Sequence, residues 1–171
     1  MTVPTLRTDR LILRAPAARD ARVVTKALNN IAVSRWLTVV PFPYGMTDAK
    51  WFINECHRGR FVAWFIWAED HFVGTIAADD GLGYWLAEDA WGKGYATEAA
   101  QAVVDHYFET TDADQLTSSC FDGNAASQHV LTKLGFVDAG AQLHFSKARN
   151  EEVPGRQMVL SRQRWQGQYD V

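Results

Sequence analysis

The chain has little cysteine, little proline and no surplus of positive charge. Its two cysteines, Cys56 and Cys120, stand far apart and match no zinc or redox spacing. Both are expected as reduced, buried small hydrophobes. A net charge of −3 with dispersed basic residues argues against nucleic acid as the main partner, since phosphate backbones select a basic surface. No apolar run approaches the ~18–20 residues that span a bilayer, and no charged segment precedes an apolar one at the start. The expectation is a soluble cytoplasmic protein with no membrane partner and no metal. Two familiar phosphate turns are missing as well. A P-loop needs Gly-Lys and then Ser or Thr, but Lys93 is followed by Gly94 and Tyr95. A dinucleotide fingerprint needs a third small residue where Thr97 stands, and an acid about 20 positions on, for which only Asp114 and Asp122 offer themselves.

What is present centres on 83–100. Gly83-Tyr84-Trp85-Leu86-Ala87 reads as a short strand, Trp91-Gly92-Lys93-Gly94 as a tight turn, and the residues after Gly94 as a helix. Apolar residues at Ala96, Ala99, Ala100, Val103, Val104, Tyr107 and Phe108 recur at three and four, the period of a helix with one buried face. Gly92 and Gly94 let the backbone take positive φ and lie close to a ligand. A glycine turn feeding a helix leaves unpaired N–H groups at the positive end of the helix dipole, which suits a phosphate or pyrophosphate. Lys93 adds a charge-assisted contact.

At 171 residues and 47% hydrophobic, the chain is sized for one domain over 1–171. In order, 8–14 alternates as a first strand and Pro16 opens a helix to about Asn29. The 36–45 segment carries two prolines among aromatics and is expected to be irregular. Thr47 is placed to cap a second helix that Gly59 ends. Strands follow at 61–68 and 71–78, with a turn at 79–81 leading to the strand before the phosphate turn. After the long helix come a strand at 115–121, a helix from Asn124 ending at Leu134-Gly135-Phe136, and a closing pair at 142–147 and 156–161 around a 148–155 loop. That order suits an α+β layer, one mixed and mostly antiparallel sheet with helices on both faces.

Two blocks carry a family resemblance. Trp91-Gly92-Lys93-Gly94-Tyr95-Ala96 matches the Gln/Arg-x-x-Gly-x-Gly/Ala turn of the GNAT superfamily of N-acetyltransferases, with Trp91 in place of the usual Gln or Arg. Trp-Gly-Lys-Gly-Tyr-Ala-Thr-Glu-Ala is the form of the branch that resembles the RimJ and RimL ribosomal-protein acetyltransferases. Downstream, Asn124-Ala125-Ala126-Ser127 followed by Leu134-Gly135-Phe136 resembles that branch's Asn-x-x-Ser, helix, Leu-Gly-Phe element. The resemblance covers nearly the whole chain and implies a single GNAT-like domain.

It also implies acetyl-CoA as co-substrate and direct transfer to an amine. The turn from Trp91 through Gly92, Lys93, Gly94, Tyr95, Ala96 and Thr97 would hold the pyrophosphate. Backbone groups of Trp85, Leu86 and Ala87 would pair with the pantetheine, which enters where two strands splay. Asn124 either bonds pantetheine or caps its helix. Ser127 either protonates the leaving thiolate or satisfies backbone in the first helical turn. The tyrosine that many relatives carry four residues later is replaced by Leu131. For the base, Glu88 heads a set with Asp80, His71 and His144 placed by position alone. Trp36, Tyr44 and Trp51, with the 148–155 loop, would shape the substrate pocket, unless Trp36 and Trp51, with Phe42, plug the core. The acceptor is a protein or peptide N-terminus or a small-molecule amine. A non-catalytic acetyl-CoA-binding regulator is the competing class, and a homodimer rests on family habit alone.

Overall fold

The computed structural model describes residues 3–168, so the ends of the expected 1–171 domain span lie outside the described residues. One eight-stranded sheet has the order β1-β2-β3-β4-β5-β6-β8-β7. The strands are β1 Leu6–Arg7, β2 Ile12–Arg14, β3 Ala63–Ala68, β4 His71–Ala78, β5 Leu82–Leu86, β6 Gln115–Phe121, β7 Val137–Ser146 and β8 Glu151–Ser161. Every neighbouring pair is antiparallel except β5 with β6. The helices are α1 Ala21–Leu28, α2 Ile31–Ser34, α3 Met46–His57, α4 Tyr95–Thr110, α5 Ala125–Lys133 and α6 Arg162–Gly167. This is the expected α+β sheet, and β3 shows how both faces are covered. Trp64 and Ile66 point into a core with Val103 and Phe108 of α4 and Leu131 of α5. Phe65, between them, points into a second core with Val24 and Leu28 of α1 and Ala49 and Ile53 of α3. Burying such a side chain completely contributes about 1.5–3 kcal/mol.

On the α1–α3 face the aromatics form a row. Trp85 meets Phe72 at 5.9 Å and Phe72 meets Phe65 at 5.6 Å. The row continues through Phe52 and Phe61 to Trp51, whose ring stands edge-on to Phe61 at 5.9 Å. Among the described residues no helix is long and apolar enough to cross a membrane.

Several local readings are corrected. The first strand is a hairpin, because Thr8 N–H donates to Leu11 O at 3.0 Å and turns the chain between β1 and β2. The second expected helix is capped two residues before Thr47, by Gly45, and starts at Met46, because the Gly45 N–H finds Asp48 Oδ2 at 2.8 Å. The 148–155 loop shrinks to 147–150, since Glu151 to Gly155 extend β8 against β7. Pro154 is tolerated there. Its carbonyl accepts Asp122 N–H at 2.9 Å, so its nitrogen faces the β6 side, just past the last β6 residue, and no β7 bond is lost. The short α6 follows where no helix was expected, capped by Ser161 Oγ accepting from Arg164 N–H at 3.2 Å.

Candidate functional site

β5 and β6 pair at one point, Leu82 with Ser118, where Ser118 Oγ also donates to Leu82 O at 2.7 Å. Beyond it the two parallel strands run on to Leu86 and Phe121 with no further pairing, and they part like the arms of a V. The other edge of β5 stays on β4 as far as Ala87, whose N–H donates to Val73 O at 2.8 Å. Successive residues of a strand turn their N–H and C=O groups to opposite edges. With Ala87 committed to β4, Trp85 turns the same way, while Tyr84 and Leu86 face the opening. Of the expected backbone trio, Leu86 alone therefore borders the V. Its carbonyl accepts Trp91 Nε1 at 3.0 Å, so the residue that replaces Gln or Arg ties the turn to the strand. On the other edge Gly74 lets β4 lie close against β5, since a Cβ there would collide with Trp85 O and lie 2.9 Å from Leu86 Cα.

At the head of the V, Gly92 and Gly94 take φ of 72° and 77°, in the left-handed region that glycine occupies without strain. The first intrahelical bond of α4 runs from Glu98 N–H to Gly94 O at 3.2 Å. The N–H groups of Tyr95, Ala96 and Thr97 precede it and end at the helix's positive pole. Lys93 is exposed beside them. Sequence reading missed the residue that braces this turn. Arg10, from the β1–β2 hairpin, donates to Lys93 O at 2.9 Å and to Glu98 Oε2 at 2.7 Å, and its guanidinium lies 4.8 Å over the Tyr95 ring. Burial pushes the Glu98 carboxyl up, but hydrogen bonds from Thr8 and Arg10 outweigh it and hold it below the ordinary value. No local motif joins Arg10 to Glu98 across 88 positions.

On the β6 side, Asn124 caps α5, its Oδ1 accepting Ser127 N–H at 3.2 Å. That leaves its amide N–H groups as the donors for a ligand. Ser127 Oγ lies 3.0 Å from Tyr84 Oη, which reaches across from the free edge of β5. Burial, partly offset by the Ser127 bond, pushes the Tyr84 phenol up to about 12, so it keeps its proton at neutral pH. Leu131, where relatives carry tyrosine, is 0% exposed and belongs to the core.

Of the remaining candidates, only Trp36 and His144 lie near an arm of the V. Glu88 is exposed and its Oε2 accepts Asn30 Nδ2 at 2.6 Å. It lines a cleft of about 570 Å³ with Asn30, His71 and Phe72, which no β6 residue borders. His71 there pairs with Asp89 at 3.3 Å. Asp80 sits at the far end of β5 from Leu86. Tyr44 is 6% exposed and belongs to the α1–α3 core. Trp51 is 58% exposed but stands against Phe61, about five ladder steps (roughly 17 Å) from the level of Leu86. Trp36 does stay close: its Cη2 would lie 4.0 Å from a Cβ at Gly123, in the turn after β6. His144 stacks obliquely on Phe121, with ring centroids 5.6 Å apart. Cys56 and Cys120 are buried and free, and burial pushes the Cys56 thiol up to about 12.

Residues 10–137 match the model of the acetyltransferase (GNAT) domain. An uncharacterised N-acetyltransferase, p20 of Bacillus licheniformis, is 26% identical over 95% of this chain and 99% of its own length. The ribosomal-protein-serine acetyltransferase of Escherichia coli K12 is 29% identical over 48% of this chain and 51% of its own. In fold, the chain superposes on Mycobacterium smegmatis RimJ, solved with a CoA-disulfide, with a TM-score of 0.80 at 20% identity over 95% of this chain and 88% of that one.

Proposed function

The chain belongs to the GNAT acetyltransferase family, and from that premise we propose that it transfers the acetyl group of acetyl-CoA to a primary amine, as one N-acetyltransferase domain spanning the chain. The parting of β5 from β6 above Leu82 and Ser118 supports this reading most strongly. It leaves a gap with an unpaired strand edge on each side, a fit for an extended amide-bearing arm. Acetyl-CoA supplies the activated acyl group as a thioester. The chain's own residues would do the rest. The turn from Trp91 to Thr97, with its helix-start amides and Lys93, would hold the pyrophosphate. Leu86 and Asn124 would hold the pantetheine amides from the two sides of the V. Ser127 would donate its hydroxyl proton to the departing sulfur, with Tyr84 behind it as a second donor.

Trp36 is kept as a substrate-side residue, whereas Tyr44 and Trp51 are read as structural. Glu88 is read as a tie between β5 and α2 through Asn30. For the acceptor, the partial likeness to a ribosomal-protein-serine acetyltransferase supports a protein or peptide N-terminus. A small-molecule amine is the second choice. The two buried, free thiols suit a cytoplasmic setting. CoA release measured against N-terminal peptides, polyamines and amino acids tests the proposal. Turnover on peptides supports the acceptor chosen, turnover on small amines alone replaces it, and binding without turnover on any amine argues for a regulator.

A further inference from the structure

The face of the sheet opposite α4 and α5 carries a feature that the proposal above does not use. The 30–38 segment is tied down on both sides of the V. At one end Asn30 Nδ2 holds Glu88, just past β5. At the other, Ser146 Oγ donates to Leu37 O at 3.1 Å and Lys147 N–H to Thr38 O at 2.9 Å, at the end of β7. Trp36 lies between these ties, near the turn after β6. Alongside, Phe121 of β6 packs on His144 of β7, two residues before Ser146 and on the same side of that strand.

His144 Nε2 is shielded from solvent and has no hydrogen-bond partner. A buried, unpaired ring nitrogen carries a desolvation cost of about 1–3 kcal/mol and calls for a reason. Its surroundings are apolar: the Phe121 ring from β6, Gly155 of β8, where an added Cβ would lie 3.0 Å from His144 Cδ2, and Val153 opposite in the ladder. The charged side chains flanking those positions are Asp122, Glu152, Lys147 and Arg156, the last paired with Asp138 at 2.7 Å, with the Arg149–Glu151 pair at the hairpin tip, and none hydrogen-bonds the ring Nε2. Burial pushes the imidazolium below the ordinary histidine value, so the ring is neutral and able to accept a proton at neutral pH.

We infer that His144 is the general base of the transfer, its Nε2 taking a proton from an acceptor ammonium that enters beside Trp36 and Phe121. The inference rests on the acetyltransferase reading above. The lone pair freed on nitrogen forms the new C–N bond to the thioester carbon, and the C–S bond breaks. The nitrogen sheds two protons in all. One goes to His144 and on to solvent. The other restores the proton that Ser127 gives to the sulfur. Base and acid thus stand on opposite faces of the sheet, so the amine meets the acyl carbon from the side away from the leaving group's donor.

The test compares wild type with His144→Gln and with His144→Phe, which keeps the packing on Phe121. Each is read by the melting shift with acetyl-CoA and by kcat/KM against pH on a turned-over amine. The shift should match wild type in both variants. kcat/KM near pH 7 should fall about 100-fold, and the acidic limb should lose one proton of slope. A variant that keeps the wild-type rate and limb removes His144 from the mechanism while leaving the acetyltransferase reading intact. Wild type with neither shift nor turnover removes both.

Discussion

Tyr84 Oη lies 3.0 Å from Ser127 Oγ, joining the free edge of β5 to the first turn of α5 across the V. A helix residue expected either to protonate the leaving thiolate or to satisfy backbone is thereby paired with a phenol from the opposite wall. In a coupled donor pair, removing the outer member weakens the inner one, and removing the inner one leaves the outer with nothing to serve.

Ser127→Ala should lower kcat by about 100-fold and Tyr84→Phe by about 10-fold, with acetyl-CoA binding little changed in either. The double variant should be no slower than Ser127→Ala alone, because the two act as a unit. Multiplying losses in steady-state kinetics would show that they act separately.

Glu88→Gln should leave turnover within about threefold of wild type, since the carboxylate is exposed, bound by Asn30 and set in a cleft that β6 does not border. A fall of about 100-fold would return Glu88 to the role of base.

Gly74→Ala should destabilise the fold by several kcal/mol in urea titration, because the new Cβ meets the β5 backbone at Trp85 and Leu86, which cannot move without breaking the β4–β5 ladder. Wild-type stability in this variant would mean that β5 is free to shift, and the backbone geometry assigned to Leu86 would fall with it.

The brace at Glu98 predicts a pH dependence. Its folded-state pKa lies below the unfolded value of 4.5, so its contribution is present above that value and is lost as pH falls through the folded pKa. Wild type should therefore lose more stability than Glu98→Gln when pH is lowered from about 6 to about 3. Equal losses would mean that Thr8 and Arg10 do not hold the carboxylate in solution.

The parts of this fold legible in the sequence are those with local causes. The glycine turn needs positive φ, α4 needs its three–four apolar spacing, and Asn124 needs only to precede a helix. What lay hidden depends on distant partners. Arg10 meets Glu98 only once the β1–β2 hairpin has docked on α4, and Tyr84 meets Ser127 only across two non-paired strand ends. The β8 extension was masked by Pro154, which a strand accepts only where its nitrogen has no partner to bond. The place of Tyr44 in the α1–α3 core and of Trp51 edge-on to Phe61 depends on such partners too, and their position in variable segments does not reveal it.

The measurement that bears most directly on the central claim is thermal unfolding of wild type and Gly94→Val with acetyl-CoA at about a hundredfold over its Kd. Wild type should gain about 2.7 kcal/mol by mass action. Gly94→Val should gain nothing, because a β-branched residue cannot hold φ of 77° and the turn would re-form away from the ligand. A full shift in the variant, or none in wild type, would contradict the assignment of the 91–97 turn to the acetyl-CoA phosphates.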